Sequence, residues 1–123
     1  MNAVRDSDRV AAAEAYIDAL VSHDGDSVPF AADCTRIEQG LKNGFSGNHL
    51  RRGLNRGLQY RIISAATDRQ FSIDSDVVRA TFTIVTKAAL FGRRVDETFL
   101  IPATDGKIHH IRVRIHPRIR REG

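Results

Sequence analysis

A carboxylate placed among apolar residues is the clearest sign of chemistry in this sequence. In the run from Val95 to Ile101, the two-residue repeat of a strand puts Glu97 on one face with Val95, Phe99 and Ile101. Removing a carboxylate from water costs free energy unless it gains a partner, a proton, or a cavity that holds water or ligand. The pattern therefore indicates a functional acid at Glu97 or, as the alternative, an edge strand on which Glu97 lies in solvent.

Two further charged residues, Arg36 and Glu38, are two positions apart and so share one face of a short predicted strand. The alternation around them does not show which face is buried. If that face is inward, both residues meet Glu97, together with Tyr16 and His109. Two interpretations stay open: a buried ion pair that stabilises the fold, or one ionised carboxylate beside a second carboxyl whose raised pKa suits a general acid or base.

The histidines and the cysteine narrow the kinds of site to expect. His109 shares a face with apolar residues, where an imidazole needs a partner, and a carboxylate is the natural one. Its neighbour His110 points to the opposite face, so the two do not chelate one metal ion. The single Cys34 excludes a disulfide within the chain and a CxxC metal site, and we expect it to be a small buried residue. We expect no metal and no cofactor.

Helical spacing in the first half and strand alternation in the second predict an α+β fold. The alternating strand around Phe82 has a clean apolar face, which we expect to be buried. Ser7 or Asp8 is the expected cap of the first helix, and Ser46 or Asn48 of the second. The predicted helices cover 9–22 and 48–58, with a short turn over 26–30 and a loop over 40–47. The predicted strands cover 32–40, 60–66 with 70–74, 78–90, 95–101 and 108–116.

Length and composition bound the architecture. A chain of 123 residues is long enough for one domain with its own core, so we expect a single domain over 1–123, with 1–7 and 117–123 flexible. No stretch has the roughly 20 apolar residues of a membrane span, and the N-terminus lacks the apolar region of a signal peptide. We therefore expect a cytoplasmic protein that does not associate with membranes.

The net charge of +4 is concentrated in two arginine clusters. Such clusters suit phosphate or acidic partners, but nucleic-acid binders usually add aromatic residues for stacking, and the C-terminal cluster has none. A solvated outer face is the preferred interpretation, and we do not expect nucleic acid as a partner. The clusters are Arg51, Arg52, Arg56 and Arg61, and Arg112, Arg114, Arg118, Arg120 and Arg121.

The order of elements resembles the nuclear-transport-factor-2-like superfamily, which includes ketosteroid isomerases and SnoaL-type polyketide cyclases. The resemblance runs from about Val10 to His116 and is carried by four segments: Ala15–Leu20 through Asp24, Phe30–Thr35, Ser46-Gly47 and Asp105–Ile108. It implies a cone-shaped, curved, antiparallel or mixed sheet wrapped around the N-terminal helices and enclosing an apolar pocket. It also implies a homodimer formed through the outer sheet face.

The resemblance also suggests roles for individual residues. Tyr16 matches the tyrosine that helps to form the oxyanion hole of ketosteroid isomerases, and Glu38 matches their aspartate base. The third position of that site, a protonated acid, falls on Thr98 without a gap and reaches Glu97 or Asp96 only if the hairpin is shifted. A one-residue slip moves a side chain to the other face of a strand.

Both lines of reasoning lead to one expectation with an alternative. The protein is expected to bind a small apolar molecule with a polar head, with Tyr16, Glu38 and Glu97 as catalytic residues of a ketosteroid-isomerase-like or SnoaL-like general acid–base enzyme. Arg36, Phe82, Phe99 and His109 are the expected ligand-binding residues. The alternative is a non-catalytic ligand-binding or dimerisation module.

Overall fold

The computed structural model describes residues 3–87 and 92–116 of the chain. The end of the predicted strand 78–90 and the arginines after Pro117 lie outside the described residues. Within them, the elements in chain order are α1 (Asp6–Ser22), a 3₁₀ turn (Gly25–Ser27), β1 (Phe30–Glu38), β2 (Leu41–Gly44), α2 (Gly47–Arg56), α3 (Leu58–Arg61), β3 (Ile63–Asp74), β4 (Val77–Thr86), β5 (Arg93–Leu100) and β6 (Ile108–Ile115).

The six strands form one mixed sheet in the order β2-β1-β6-β5-β4-β3. Among the strands of the described residues, β1 and β6 alone pair in parallel, and the other neighbours are antiparallel. Register shifts interrupt β1 between Arg36 and Ile37 and β3 between Thr67 and Gln70, and such irregularities bend a strand. The helices cover one face of this curved sheet, which is the α+β architecture expected from the sequence.

The core lies between α1 and the inner face of the sheet. Helix α1 buries a stripe at helical spacing. The central strands contribute the alternating residues predicted to face inward. From α1 the buried residues include Ala13, Tyr16, Ile17 and Leu20, and from the sheet Val78, Phe82, Val95, Phe99, Ile111 and Val113.

The N-terminal helix begins earlier than expected. Its N-cap is Arg5, which makes no side-chain cap hydrogen bond, so neither Ser7 nor Asp8 caps the helix. The amide of Val4 also donates to the carbonyl of Ala103 at 2.8 Å. Residues 4–7 therefore have a defined place, whereas Met1, Asn2 and residues 117–123 of the expected flexible ends lie outside the described residues. Ser46 is confirmed as the cap of α2, because its hydroxyl accepts from the amide of His49.

Two boundaries differ from the sequence prediction in ways that shape the site. The predicted loop 40–47 contains β2, which pairs with β1 through a turn in which Gln39 and Gly40 have φ angles of 51° and 81°. The segment from Leu58 to Arg61 is helical, so Tyr60 does not begin a strand and β3 starts at Ile63. In both places a local turn overrides an alternating pattern that is too short to be decisive.

No helix among the described residues is long and apolar enough to cross a membrane.

Arg9 joins the N-terminal helix to the loops at one end of the sheet. Its side chain is only 4% exposed, and its guanidinium donates to the carbonyls of Ile101 at 2.6 Å and Ser75 at 2.5 Å. Asp6, one helical turn earlier, lies 3.2 Å from the same group and is mostly exposed. The buried charge is thus stabilised mainly by backbone oxygens, which would lose their partner if the side chain were removed.

We predict that Arg9→Ala lowers the free energy of unfolding by about 3 kcal/mol, since the buried carbonyl of Ile101 and the more exposed carbonyl of Ser75 are left without a charged donor. Urea titration followed by circular dichroism measures this loss. The control is Arg5→Ala, whose side chain is 80% exposed and pairs with the exposed Asp8, and which should change stability by no more than about 0.5 kcal/mol. Equal losses in both variants would contradict this role of Arg9.

Candidate functional site

A cavity of about 210 Å³ lies between the inner face of the sheet and the segment that contains α3. Its wall is mainly apolar, and its polar groups come from β1, α3, β4 and β5. The apolar wall includes Leu20, Ile63, Ile84, Val95, Val113 and Ile115; the polar groups are Arg36, Glu38, Tyr60, Thr86, Arg93 and Glu97.

The register of the sheet explains why the two acidic side chains share this cavity. Glu38 on β1 is paired with Val113 on β6, and Val113 is paired with Glu97 on β5. Residues aligned across neighbouring strands point to the same face. With strands about 4.8 Å apart, the backbones of Glu38 and Glu97 are therefore separated by roughly 10 Å, with Val113 between them.

Glu97 is the most unusual polar residue of the fold. It is 1% exposed, and its Oε2 atom is buried with no hydrogen-bond partner among the described residues. Burial raises the pKa of its carboxyl to about 8; the nearby charge of Arg36 lowers that pKa, and Glu38 and Asp96 raise it. Below that pH the carboxyl is neutral and carries an O–H donor. The inward position predicted for Glu97 is confirmed, and the edge-strand alternative is wrong.

Arg36 lies beside this carboxyl but is already bonded to other groups. It is 4% exposed; its Nη2 lies 2.8 Å from Oε1 of Glu38, and its Nε donates to the hydroxyl of Tyr16 at 3.0 Å. Gly44 on β2 lies against it, since a Cβ added there would be 2.6 Å from the Cβ of Arg36. The same position is 2.6 Å from the side chain of Leu50 on α2, so the face of β1 that carries Arg36 is the face that this helix covers.

Tyr16 supports Arg36 from behind. Its ring packs edge-on against Phe30 and Phe99, at centroid distances of 6.1 and 5.6 Å, and the residue is 1% exposed. Burial raises the pKa of its hydroxyl well above the usual value, so the hydroxyl stays protonated. Tyr16 is not among the residues that line the cavity, so its position differs from that of the ligand-contacting oxyanion donor expected from the resemblance.

The remaining predicted ligand-binding residues are not brought to the cavity. Phe82 and Phe99 are fully buried within the core and do not line it. His109 lies near the turn before β6, where Nε2 is 2.7 Å from Asp105 and Nδ1 is 3.8 Å from Asp33. The expectation of a carboxylate partner for His109 is confirmed, but the residue does not line this cavity. Since Glu97 is registered with Val113, His109 is four residues too early on β6 to meet it.

The site also contains a residue that the sequence did not suggest. Tyr60 lines the cavity from α3 and is partly buried. Burial is the main cause that raises the pKa of its hydroxyl; Arg36 opposes this effect, and Glu38 and Glu97 add to it. The signal that could have found it is Gly57, a poor helix former at which α2 ends before the short helix α3 begins. The alternation of Tyr60-Arg61-Ile62-Ile63 concealed that break.

The geometry of the described residues favours neither a metal site nor a nucleophilic cysteine. Over residues 3–87 and 92–116, no group of three or more His, Cys, Asp or Glu side chains is placed to hold a metal ion. Cys34 is buried, and burial, with a smaller effect of Asp33, raises the pKa of its thiol to about 12. The thiol is therefore protonated at neutral pH and is not an activated nucleophile.

The outer face of the sheet carries charged and polar side chains. Arg79 and Asp96 form a bidentate pair there, and Arg112 and Arg114 are exposed on the next strand. The homodimer through this face stays a prediction, as do the absence of nucleic-acid partners and the cytoplasmic location.

The chain matches one family of proteins over most of its length. A family described as Domain of unknown function (DUF8021) matches residues 4–115. The chain belongs to this family. No curated protein matches the chain.

Solved structures with similar folds include proteins described as NTF-2-like and SnoaL-like, which confirms the fold resemblance to the nuclear-transport-factor-2-like superfamily. An NTF-2-like protein of unknown function from Burkholderia xenovorans LB400 has a TM-score of 0.74 at 14% identity, covering 97% of this chain and 91% of that chain. An LEH-like epoxide hydrolase from M. tuberculosis has a TM-score of 0.70 at 19% identity, covering 89% and 84%. A SnoaL-like family protein from Agrobacterium tumefaciens, proposed to be an isomerase, has a TM-score of 0.70 at 9% identity, covering 89% and 98%. At these identities the likeness establishes the fold alone.

The first prediction from the site concerns stability and pH. The carboxyl of Glu97 has a pKa of about 8 when folded and about 4.5 as an ordinary glutamate. The folded state therefore keeps a proton that the unfolded state releases, so stability falls as pH rises from about 4.5 to about 8 and then levels. We expect a total loss on the order of 4 kcal/mol.

Urea unfolding of the wild-type chain and of Glu97→Gln between pH 4.5 and 9 measures this effect. The glutamine cannot ionise, so the difference between the two free energies should change across that window, with the variant gaining relative stability as pH rises. Two curves that stay parallel over the whole range would show that Glu97 is not buried as a neutral acid.

The second prediction concerns the pKa of Glu97 itself. Arg36 lowers this pKa and Glu38 raises it. Glu38→Gln should therefore lower the pKa below 8, and Arg36→Met should raise it above 8. Carbon-detected NMR of the glutamate carboxyl groups during a pH titration measures both shifts. Shifts in the same direction for the two variants would show that neither charge acts on Glu97 as the structure implies.

Proposed function

We propose that this protein binds a small apolar molecule with a polar head and moves a proton at the carbon next to a carbonyl group. The observation that carries the proposal is the carboxyl of Glu97, which lines an apolar cavity, is buried, and has an oxygen with no partner. Desolvating a carboxyl in this way costs free energy that no contact within the described part of the fold returns. A bound ligand is the partner that such a group requires.

The state of Glu97 suits it to act on an oxygen of the ligand. With a pKa of about 8, its carboxyl is neutral at physiological pH and donates a hydrogen bond rather than accepting only. Such a donor stabilises the negative charge that develops on a carbonyl oxygen when a proton leaves the adjacent carbon. Glu97 thus takes the role of the protonated acid, which the ungapped match to ketosteroid isomerases assigned to Thr98.

Glu38 is the candidate base. It is paired with the cation of Arg36 at 2.8 Å, and its side chain is 34% exposed, so it lies toward the opening of the cavity. In the proposed step the Glu38 carboxylate takes the proton from carbon, a carbon–carbon double bond forms, and the carbonyl electrons move to the oxygen held by Glu97. Return of the proton to the same or a different carbon completes the exchange or the isomerisation.

The arrangement of the two acids fits this division of work. They project from backbones roughly 10 Å apart with the smaller Val113 between them, which leaves space for a ligand to contact both. Arg36, held by Tyr16, fixes the position of Glu38 rather than binding the ligand. The names of two proteins with similar folds, an epoxide hydrolase and a proposed isomerase, are compatible with an enzyme on this scaffold.

Exchange of α-protons of a ketone such as 1-indanone in D₂O, followed by proton NMR, tests the proposal. The wild-type chain should accelerate exchange over buffer, and the catalysed rate should decline above about pH 8 as Glu97 ionises. Glu38→Gln should lower the rate by about 10²–10⁴-fold because the base is lost. Glu97→Leu should lower it by about 10²–10³-fold, and Glu97→Gln by less, because an amide still donates.

The matched control is Glu14→Gln, an exposed glutamate on α1 that should leave the rate unchanged. Circular dichroism of every variant shows whether it is folded. A wild-type chain that binds the ketone without accelerating exchange would overturn the catalytic proposal. That result would favour the alternative, a non-catalytic binding module.

A further inference from the structure

We infer that the ligand of this cavity is a compact, neutral molecule of one or two fused rings that presents an oxygen acceptor to Glu97. This inference rests on the proposed function, because it names the class of molecule on which the same site acts. It is narrower than the function, since it excludes acids, amines and large polycyclic molecules. Size, charge and hydrogen-bonding capacity each contribute a separate argument.

The volume of the cavity limits the size of the ligand. An apolar protein cavity of about 150 Å³ holds one benzene molecule. The cavity here is about 210 Å³, which by that comparison encloses roughly eight or nine non-hydrogen atoms. A skeleton of four fused rings exceeds this volume, and most of it would lie outside the opening of the cavity, where its apolar surface stays in water. The steroid substrates suggested by the resemblance to ketosteroid isomerases are therefore not expected.

The charges around the cavity exclude an acidic ligand. Arg36 is the buried cation at this site, and two of its nitrogens already contact Glu38 and Tyr16. A carboxylate bound deep in the cavity would face Glu38 and Glu97 without a free cation beside it. Arg93 also lines the cavity, but it is exposed to solvent, where an ion pair contributes little.

An amine is disfavoured for a different reason. An ammonium group carries three donors and is strongly hydrated, so it needs several acceptors when it leaves water. The wall offers mainly apolar side chains, and the carboxylate of Glu38 is already paired. Binding an amine would also require Glu97 to lose its proton in a cavity whose burial favours the neutral acid.

Among the described residues two buried side-chain atoms lack a partner, Nδ1 of His23 and Oε2 of Glu97, and of these residues Glu97 lines the cavity. A neutral oxygen acceptor satisfies Glu97. The carboxyl of Glu97 lines the cavity, and its buried Oε2 atom has no hydrogen bond within the described residues. A neutral carboxyl has one O–H to donate. A ring ketone supplies a single acceptor for that donor and apolar surface for Val95, Val113 and Ile84. Its polar head and apolar body therefore match the two parts of the cavity.

The test uses four probes that share one bicyclic skeleton: indane, 1-indanone, indane-1-carboxylate and 1-aminoindane. Binding is measured at pH 6.5 by methyl NMR shifts of Leu20, Val95 and Val113, which line the cavity. We expect 1-indanone to bind at least tenfold more tightly than the acid or the amine and more tightly than indane. A four-ring steroid ketone should not displace it.

The pH dependence of binding identifies the donor. If only neutral Glu97 binds the ketone, the affinity of the wild-type chain at pH 9 should be about tenfold weaker than at pH 6.5. In Glu97→Gln the amide donates at both pH values, so the affinity should not change between them. Glu14→Gln should show the wild-type dependence.

Each other outcome overturns the inference. Tighter binding of the acid or the amine, displacement by the steroid, no binding of 1-indanone, or the same pH dependence in Glu97→Gln would each contradict the proposed ligand class. Exchange of the α-protons in the same samples tests the proposed function separately. Binding of 1-indanone with no exchange of its α-protons would end the catalytic proposal and leave the ligand class standing.

Discussion

The burial of one carboxyl without a partner is the constraint on which the site depends. Glu97 is enclosed by β4 and β6 and by the cavity wall, and its neutral form is favoured because the folded environment cannot solvate its charge. Arg36 is near enough to lower its pKa but is occupied by Glu38 and Tyr16. An arginine free to pair with Glu97 would have made it an ordinary buried salt bridge. The competition for Arg36 is what leaves an acid in its protonated form.

The competition follows from the order of strands. The parallel pairing of β1 with β6 places Glu38 opposite Val113, and the antiparallel pairing of β6 with β5 places Val113 opposite Glu97. Arg36, two residues before Glu38, is paired with Ile111. The Arg36 side chain therefore leaves the sheet one inward-facing position before the row that contains Glu38, Val113 and Glu97. Its guanidinium donates to the hydroxyl of Tyr16 on α1, which fixes its direction. A register shift of one residue in β1 would turn Arg36 and Glu38 outward.

The sequence predicted the parts of this arrangement that depend on a long, regular alternation. The face of β5 and the packing stripe of α1 could be predicted because several apolar residues repeat at one spacing. The face of β1 could not, since Cys34, Arg36 and Glu38 alternate with residues that are no more polar. Contacts between residues distant in sequence decide which face of β1 is inward. Gly44 of β2 packs against Arg36, and the hydroxyl of Tyr16 accepts a hydrogen bond from Arg36. The position of Tyr60 depends on the break between α2 and α3, and that of His109 on the register of β6 with β5. No local sequence pattern encodes either feature.

Similar folds at low identity do not determine what such a cavity does, because function depends on the side chains that the fold places. A polar group in this core can serve either to stabilise the fold or to bind a ligand, and the contacts of each residue separate these two explanations. Arg36 pairs with Glu38 and donates a hydrogen bond to Tyr16. These three residues have partners within the fold, so a structural role explains them. A structural role does not explain Glu97, because its carboxyl has an oxygen that nothing in the described fold satisfies, and an apolar residue of similar size would avoid that cost. A group that the folded protein alone does not stabilise is best explained by a molecule that binds beside it.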